Sequence, residues 1–92
     1  MTKLKFGDPR ITLHPLADWS KTEVFLENRV AGHYRTRKNS VRDCEETIGY
    51  SPFASALNCR VVSFSREEVV EWIVAQFQER EEMRSIYQRA FP

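Results

Sequence analysis

The chain has 92 residues, 41% of them apolar and 29% charged, with a formal net charge of +1. That length allows one domain over residues 1–92 and a modest core, because so short a chain buries only ~60–65% of the surface its unfolded state exposes. No apolar run approaches the ~18 residues that cross a bilayer, and Met1-Thr2-Lys3-Leu4-Lys5-Phe6 lacks the apolar stretch of a secretory signal, so the expected protein is cytoplasmic, without membrane contact.

Thr2–Phe6 and Arg10–His14 are short strand candidates around the turn triplet Gly7-Asp8-Pro9. Ser20-Lys21-Thr22-Glu23 has the form of a capping box, and Val24, Phe25 and Asn28 would then lie on a helix. Thr22–Glu27 alternates equally well as a strand, with a turn at Asn28-Arg29 and Ala31–Arg37 as its returning partner. The hairpin is preferred because Gly32 and Thr36 suit a strand and turn better than a helix interior. Residues 22–30 stay open between helix and strand, and that choice governs where Arg29 points.

Ser40-Val41-Arg42-Asp43 reads as a second capping pattern, opening a short helix with Val41, Cys44 and Ile48 on its apolar face and Gly49 past its end. Ser51-Pro52 starts a turn or helical stretch through Leu57, closed by Asn58. Cys59–Phe64 is β-branched and aromatic, a strand. Ser65-Arg66-Glu67-Glu68 is a capping box, after which Val69, Val70, Ile73, Phe77, Met83, Tyr87 and Phe91 recur at helical spacing as a core stripe, flanked by Trp72. An unbroken helix here would be ~37 Å long, and the polar run Gln78–Glu82 predicts a bend or break near Glu79. Strands first and helices last define a small α+β domain, a short antiparallel sheet packed against C-terminal helices.

Few residues suggest chemistry. Cys44 and Cys59 read as reduced, small, buried hydrophobes. His14, His33, Cys44 and Cys59 lack the two-to-four-residue ligand spacing of a structural zinc site, so no metal and no cofactor are expected. Cys44 with His33 and Asp43 could be drawn as a catalytic set. The acids Asp43, Glu45 and Glu46 beside that thiol would raise its pKa and blunt it. Three scattered glycines make no phosphate loop. The expected protein is not an enzyme.

Charge distribution is more telling. Arg29–Arg42 carries five fixed positive charges, one His, one Tyr and no acid. On a strand, His33, Arg35 and Arg37 share one face, and Tyr34 and Thr36 the other. Lys38, Asn39 and Arg42 would follow at the strand end. Guanidinium forks match phosphate and carboxylate oxygens. The expected contact residues for a protein or nucleic-acid partner are therefore Arg29, His33, Arg35, Arg37, Lys38, Asn39 and Arg42, with Tyr34 for stacking. The contrasting reading is a strand edge protected by charge.

Asn58–Ile73, with Ile48-Gly49-Tyr50-Ser51 before it, resembles the end of an excisionase or AlpA-type winged-helix domain, where a basic wing strand runs into a helix with an acidic start. That resemblance implies a DNA-binding regulator using Arg60 and the Pro52–Leu57 element, although Pro52–Leu57 carries no Arg, Lys or Gln to read bases. In genre, the chain also resembles the small phage-encoded inhibitors of the anti-CRISPR type. This second resemblance implies a monomer that binds a ribonucleoprotein complex of Cas proteins with guide RNA and blocks hybridisation to target DNA. It ranks first because it accommodates the missing catalytic groups and the basic segment together. A homo-oligomer joined through the C-terminal helix is the remaining alternative.

Overall fold

The computed structural model describes residues 3–17, 20–54 and 59–90, with residues 87, 89 and 90 described by their backbone. The chain forms β1 (Ile11–Pro15), β2 (Lys21–Leu26), β3 (Arg29–Asn39), β4 (Cys44–Tyr50), β5 (Arg60–Ser63) and α1 (Arg66–Ala90). The strands pair antiparallel in the order β1-β2-β3-β4-β5. The architecture is α+β, as expected, with, among the described residues, a single helix in place of several.

The strand alternative holds over residues 22–30. Glu27 and Asn28 adopt φ of 50° and 71°. They make a two-residue hairpin turn whose backbone twist matches that of the strands, one residue earlier than the expected Asn28-Arg29. The register then slips: Val24 faces Gly32 while Phe25 faces Val30, leaving Ala31 as a bulge in β3. Ala31 and Gly32 are consequently both buried.

The predicted helix opening at Ser40 is instead a hairpin. Asn39 Oδ1 accepts from the backbone N–H of Val41 and Arg42, turning the chain locally. Asp43 then takes φ of 50°. Cys44–Tyr50 returns as β4, with Glu45 opposite Lys38 and Glu46 opposite Arg37. A helix would have satisfied the local capping pattern. The strand satisfies β-branched Thr47 and Ile48 and sets two acids against two bases, which outweighs it.

The core lies between the sheet and α1. Val69, Val70, Ile73, Val74 and Phe77 pack on Leu4, Val24, Leu26, Ala31 and Tyr34. Burying each aliphatic side chain contributes about 1.5–3 kcal/mol relative to leaving it exposed. Gly32 and Gly49 let the helix sit close. A Cβ on Gly32 would lie 2.7 Å from Ile73 Cγ2, and one on Gly49 would lie 2.5 Å from Val69 Cγ1.

Half of the expected capping box forms. The Glu68 amide donates to Ser65 Oγ at 3.3 Å, but the Glu68 carboxylate accepts from Ser63 Oγ at 2.9 Å. The helix does not break near Glu79. Gln, Glu and Arg are good helix formers, so a polar run interrupts the apolar stripe without interrupting the backbone. Beyond Phe77 the helix leaves the sheet. Met83, expected in the core, is 53% exposed, and the molecule reaches 52 Å along its long axis. The Tyr87 side chain and Phe91, expected on the same stripe, lie outside the described residues.

Lys3–Phe6 is not a strand, and Thr2 lies outside the described residues. Leu4 is buried in the core, and the Phe6 amide donates to Glu71 Oε2 at 2.7 Å, so this segment is held by α1. The Pro52–Leu57 element begins as a turn, and its later residues and Asn58 lie outside the described ones. No helix among the described residues is long and apolar enough to cross a membrane.

Candidate functional site on the open face of the sheet

Because Gly32 and Gly49 face the helix, His33, Ile48 and Tyr50 face away from it, whereas the bulge turns Ala31 inward. Cross-strand register then arranges the opposite face in rows. Glu23, His33, Tyr50 and Arg60 form one, and Lys21, Arg35, Ile48 and Val62 form the next. Arg37 and Glu46 follow, then Asn39 and Cys44. Among the described residues no helix covers this face. Ile48 nevertheless has no exposed surface. The long side chains of its own face must therefore cover it, with Arg35 and Val62 directly alongside.

The centre of the face is aromatic and basic. The His33 and Tyr50 rings stack with centroids 4.9 Å apart and planes at 24°. Arg35 Nη2 lies 3.5 Å from the Tyr50 hydroxyl. Burial pushes the Tyr50 phenol up, but hydrogen bonds from Arg60 and Arg35 and the charges of both guanidinium groups outweigh it and hold the pKa below its ordinary value. His33 is pushed down by burial first and by the Lys21 charge second, with Glu23 opposing and Arg35 reinforcing. It is therefore a neutral ring near pH 7. Among the described residues, neither Arg35 nor Arg60 enters a salt bridge. Arg35 beside the Tyr50 hydroxyl and Arg60 directly across from Tyr50 in register place two guanidinium groups at the centre of this face, suited to meet an oxyanion.

The basic segment itself is not an unopposed patch. Arg29 pairs with Glu81 of α1 at 2.8 Å and lies 4.8 Å over the Phe77 ring. Arg37 bonds Glu46, and Lys38 pairs with Asp43 at 3.2 Å. Asn39 is occupied with Glu46 and with its own turn. Arg42 lies 5.4 Å over the Phe64 ring. Two of the acids that neutralise this run, Asp43 and Glu46, were legible in the sequence, but a helix there would have pointed them elsewhere. Tyr34 is 5% exposed and part of the core, so it is not offered for stacking. His33 and Arg35 stay on the open face. Tyr50, Arg60 and Lys21, absent from the sequence-based set, join them through strand register alone.

The cysteines also depart from expectation. Cys44 and Cys59 are both free and exposed, at opposite ends of β4. His14 stacks obliquely on Phe25 at 4.4 Å, at the far side of the open face. Among the described residues no cluster of three His, Cys, Asp or Glu is placed to hold a metal ion.

The fold and face define an α+β protein in which one helix backs a five-stranded meander and, among the described residues, no further element packs on the other sheet face. No protein-family model matches the chain, and neither the curated proteins nor the solved structures return a match to it.

Proposed function

We propose that the chain is a non-enzymatic binding protein that inhibits a nucleoprotein assembly by occupying its nucleic-acid path, with the bare sheet face as the contact surface. The assembly is a CRISPR surveillance complex in the host cytoplasm, and occlusion of its guide RNA prevents hybridisation to target DNA. The observation that carries this reading is the pair Arg35 and Arg60, converging on the Tyr50 hydroxyl with no carboxylate partner among the described residues. Guanidinium groups beside a stacked ring pair suit a phosphate backbone with exposed bases. Half-exposed Val62 and Phe64 on the same face add the apolar and aromatic area typical of protein contacts. The contact residues are thus His33 and Arg35 from the original segment, together with Tyr50 and Arg60.

The test is binding of the protein to an assembled surveillance complex, with and without Arg35→Glu and Arg60→Glu. Both positions are exposed, so the variant keeps the fold, and it should lose binding while Arg37→Glu with Lys38→Glu retains most of it. Equal binding by the Arg35/Arg60 variant overturns the assignment. A gel shift with free duplex separates the excisionase-like alternative, which requires salt-sensitive affinity for duplex alone. A second reading, self-association through the overhanging helix, is favoured by the exposed side chains of Met83 and Ile86. Light scattering that shows a monomer at high concentration removes it.

A further inference from the structure

The sheet has two edges, and they are not alike. β1 ends in Pro15, which lacks an amide hydrogen and so blunts that edge. β5 has no proline, no lysine and no bulge. It pairs with β4 in unbroken register from Arg60 to Ser63. Among the described residues, its other side has no backbone partner. Natural proteins usually protect such an edge.

Beside this edge runs a groove of about 970 Å³ between β5 and α1. Phe53, Val61, Trp72 and Met83 supply its apolar lining. Three guanidinium groups, from Arg60, Arg80 and Arg84, stand around it against the single carboxylate of Glu79. An unpaired strand edge next to an apolar trough is the geometry of peptide recognition by strand addition: main-chain hydrogen bonds hold the peptide, and alternate side chains enter the trough. The excess of arginine selects the sign of the peptide.

We infer that β5 accepts, as a sixth strand, an extended acidic peptide segment of a partner protein, whose apolar side chains enter the groove while its carboxylates meet Arg60, Arg80 and Arg84. This site adjoins the bare face and shares Arg60 with it, and strand addition at β5 does not require that face to bind anything. Every second residue of the peptide faces the groove; these are apolar beside Phe53, Val61 and Trp72 and acidic where they reach Arg80 and Arg84. Those between lie on the open face beside Arg60 and are Asp or Glu. A proline at a position that donates to β5 abolishes binding, since it removes a ladder hydrogen bond.

The experiment uses the intact protein and three short acetylated peptides: one alternating Val, Leu or Phe with Glu and carrying a further Glu at its last groove-facing position, one with Lys at each Glu position, and one acidic peptide with prolines in its centre. Binding is followed by Trp72 indole fluorescence, by amide chemical shifts and by hydrogen exchange. The acidic peptide should shift the amides of Arg60–Ser63, protect those of Arg60 and Val62, which point to the free edge, and perturb Trp72, and the lysine and proline peptides should do none of these. Arg80→Glu with Arg84→Glu, both on the exposed side of the helix, should weaken the acidic peptide by roughly tenfold or more. The proline peptide, tested on the unaltered protein, keeps the test valid if that variant misfolds. No binding by the acidic peptide overturns the inference, as do equal binding by the lysine peptide or shifts confined to His33, Arg35 and Tyr50. Displacement of the peptide by a single-stranded oligonucleotide at the same amides would assign the groove to nucleic acid instead and equally overturn it.

Discussion

Arg29 and Glu81, fifty-two residues apart in the chain, meet at 2.8 Å, with the guanidinium also resting over the Phe77 ring. This contact fastens the start of β3 to the helix at the point where α1 leaves the sheet. It therefore uses internally a charge that the local sequence presents as available to a partner. Without it, the overhanging turns are a short unsupported helix, which is marginal in water. Arg29→Ala should accelerate amide exchange from Glu79 to Ile86 and leave the exchange of Ile48 and Tyr34 unchanged. Uniform exchange in both regions would show that the contact does not hold the overhang.

Stability should fall with acidification in a defined order. His33 has its pKa depressed below 6.5, so as pH drops through that value the unfolded chain takes up a proton that the folded state resists. Glu46 is held below its ordinary 4.5 first by the hydrogen bond from Arg37, and Glu81 by that from Arg29. Their contributions are full above 4.5 and lost as pH falls through the folded values. Asp8, lowered from 3.8 to about 2 by its bonds from Arg10, is the last to go. Urea midpoints measured against pH should decline from near neutrality down to about 2, and Glu46→Gln should flatten the middle of that curve. A midpoint that rises on acidification contradicts these assignments.

Gly32→Ala should be among the most damaging single substitutions. The new methyl would meet Ile73 Cγ2 and the Tyr50 carbonyl, and the carbonyl is backbone in β4 that cannot swing aside. Overpacking of this kind costs about 1–3 kcal/mol. Ile73→Ala, which removes a fully buried side chain from the same contact, costs about 2–5 kcal/mol. Denaturant unfolding checks both. A double variant should be less damaging than the sum, because the shorter residue 73 makes room for the methyl.

The Tyr50 phenol should ionise below 10, because Arg60 and Arg35 together outweigh its partial burial. Ultraviolet titration of tyrosinate reads this directly. Arg35→Ala and Arg60→Ala should each raise the transition. A low-pKa tyrosine that persists in both single variants would mean that the two guanidinium groups do not converge on that oxygen.

Both thiols should react with a disulfide reagent in the native state, at two equivalents per chain, since Cys44 and Cys59 are exposed. No internal disulfide should form on oxidation, because β4 separates them by most of its length, far beyond the reach of a disulfide. Protection of either thiol until unfolding would contradict the exposure of that residue.

The sequence by itself determined the class of fold. The β-branched run at Arg60–Ser63 and the capped apolar stripe from Val69 to Phe77 are local patterns with one good solution each, whereas Thr22–Leu26 suits a helix or a strand and becomes a strand by pairing with β1 and β3. It also determined that His33, Arg35 and Arg37 share a face. Only the tertiary structure decided Ser40–Gly49, whose local capping pattern reads as a helix but which pairs with β3 as the return strand of a hairpin. The candidate site follows the same logic. Lys21, Arg35, Tyr50 and Arg60 are neighbours solely through register across four strands, and Arg29 is neutralised solely because α1 continues as far as Glu81. Contacts between residues distant in the chain depend on how whole elements pack, and no short window of sequence carries that information.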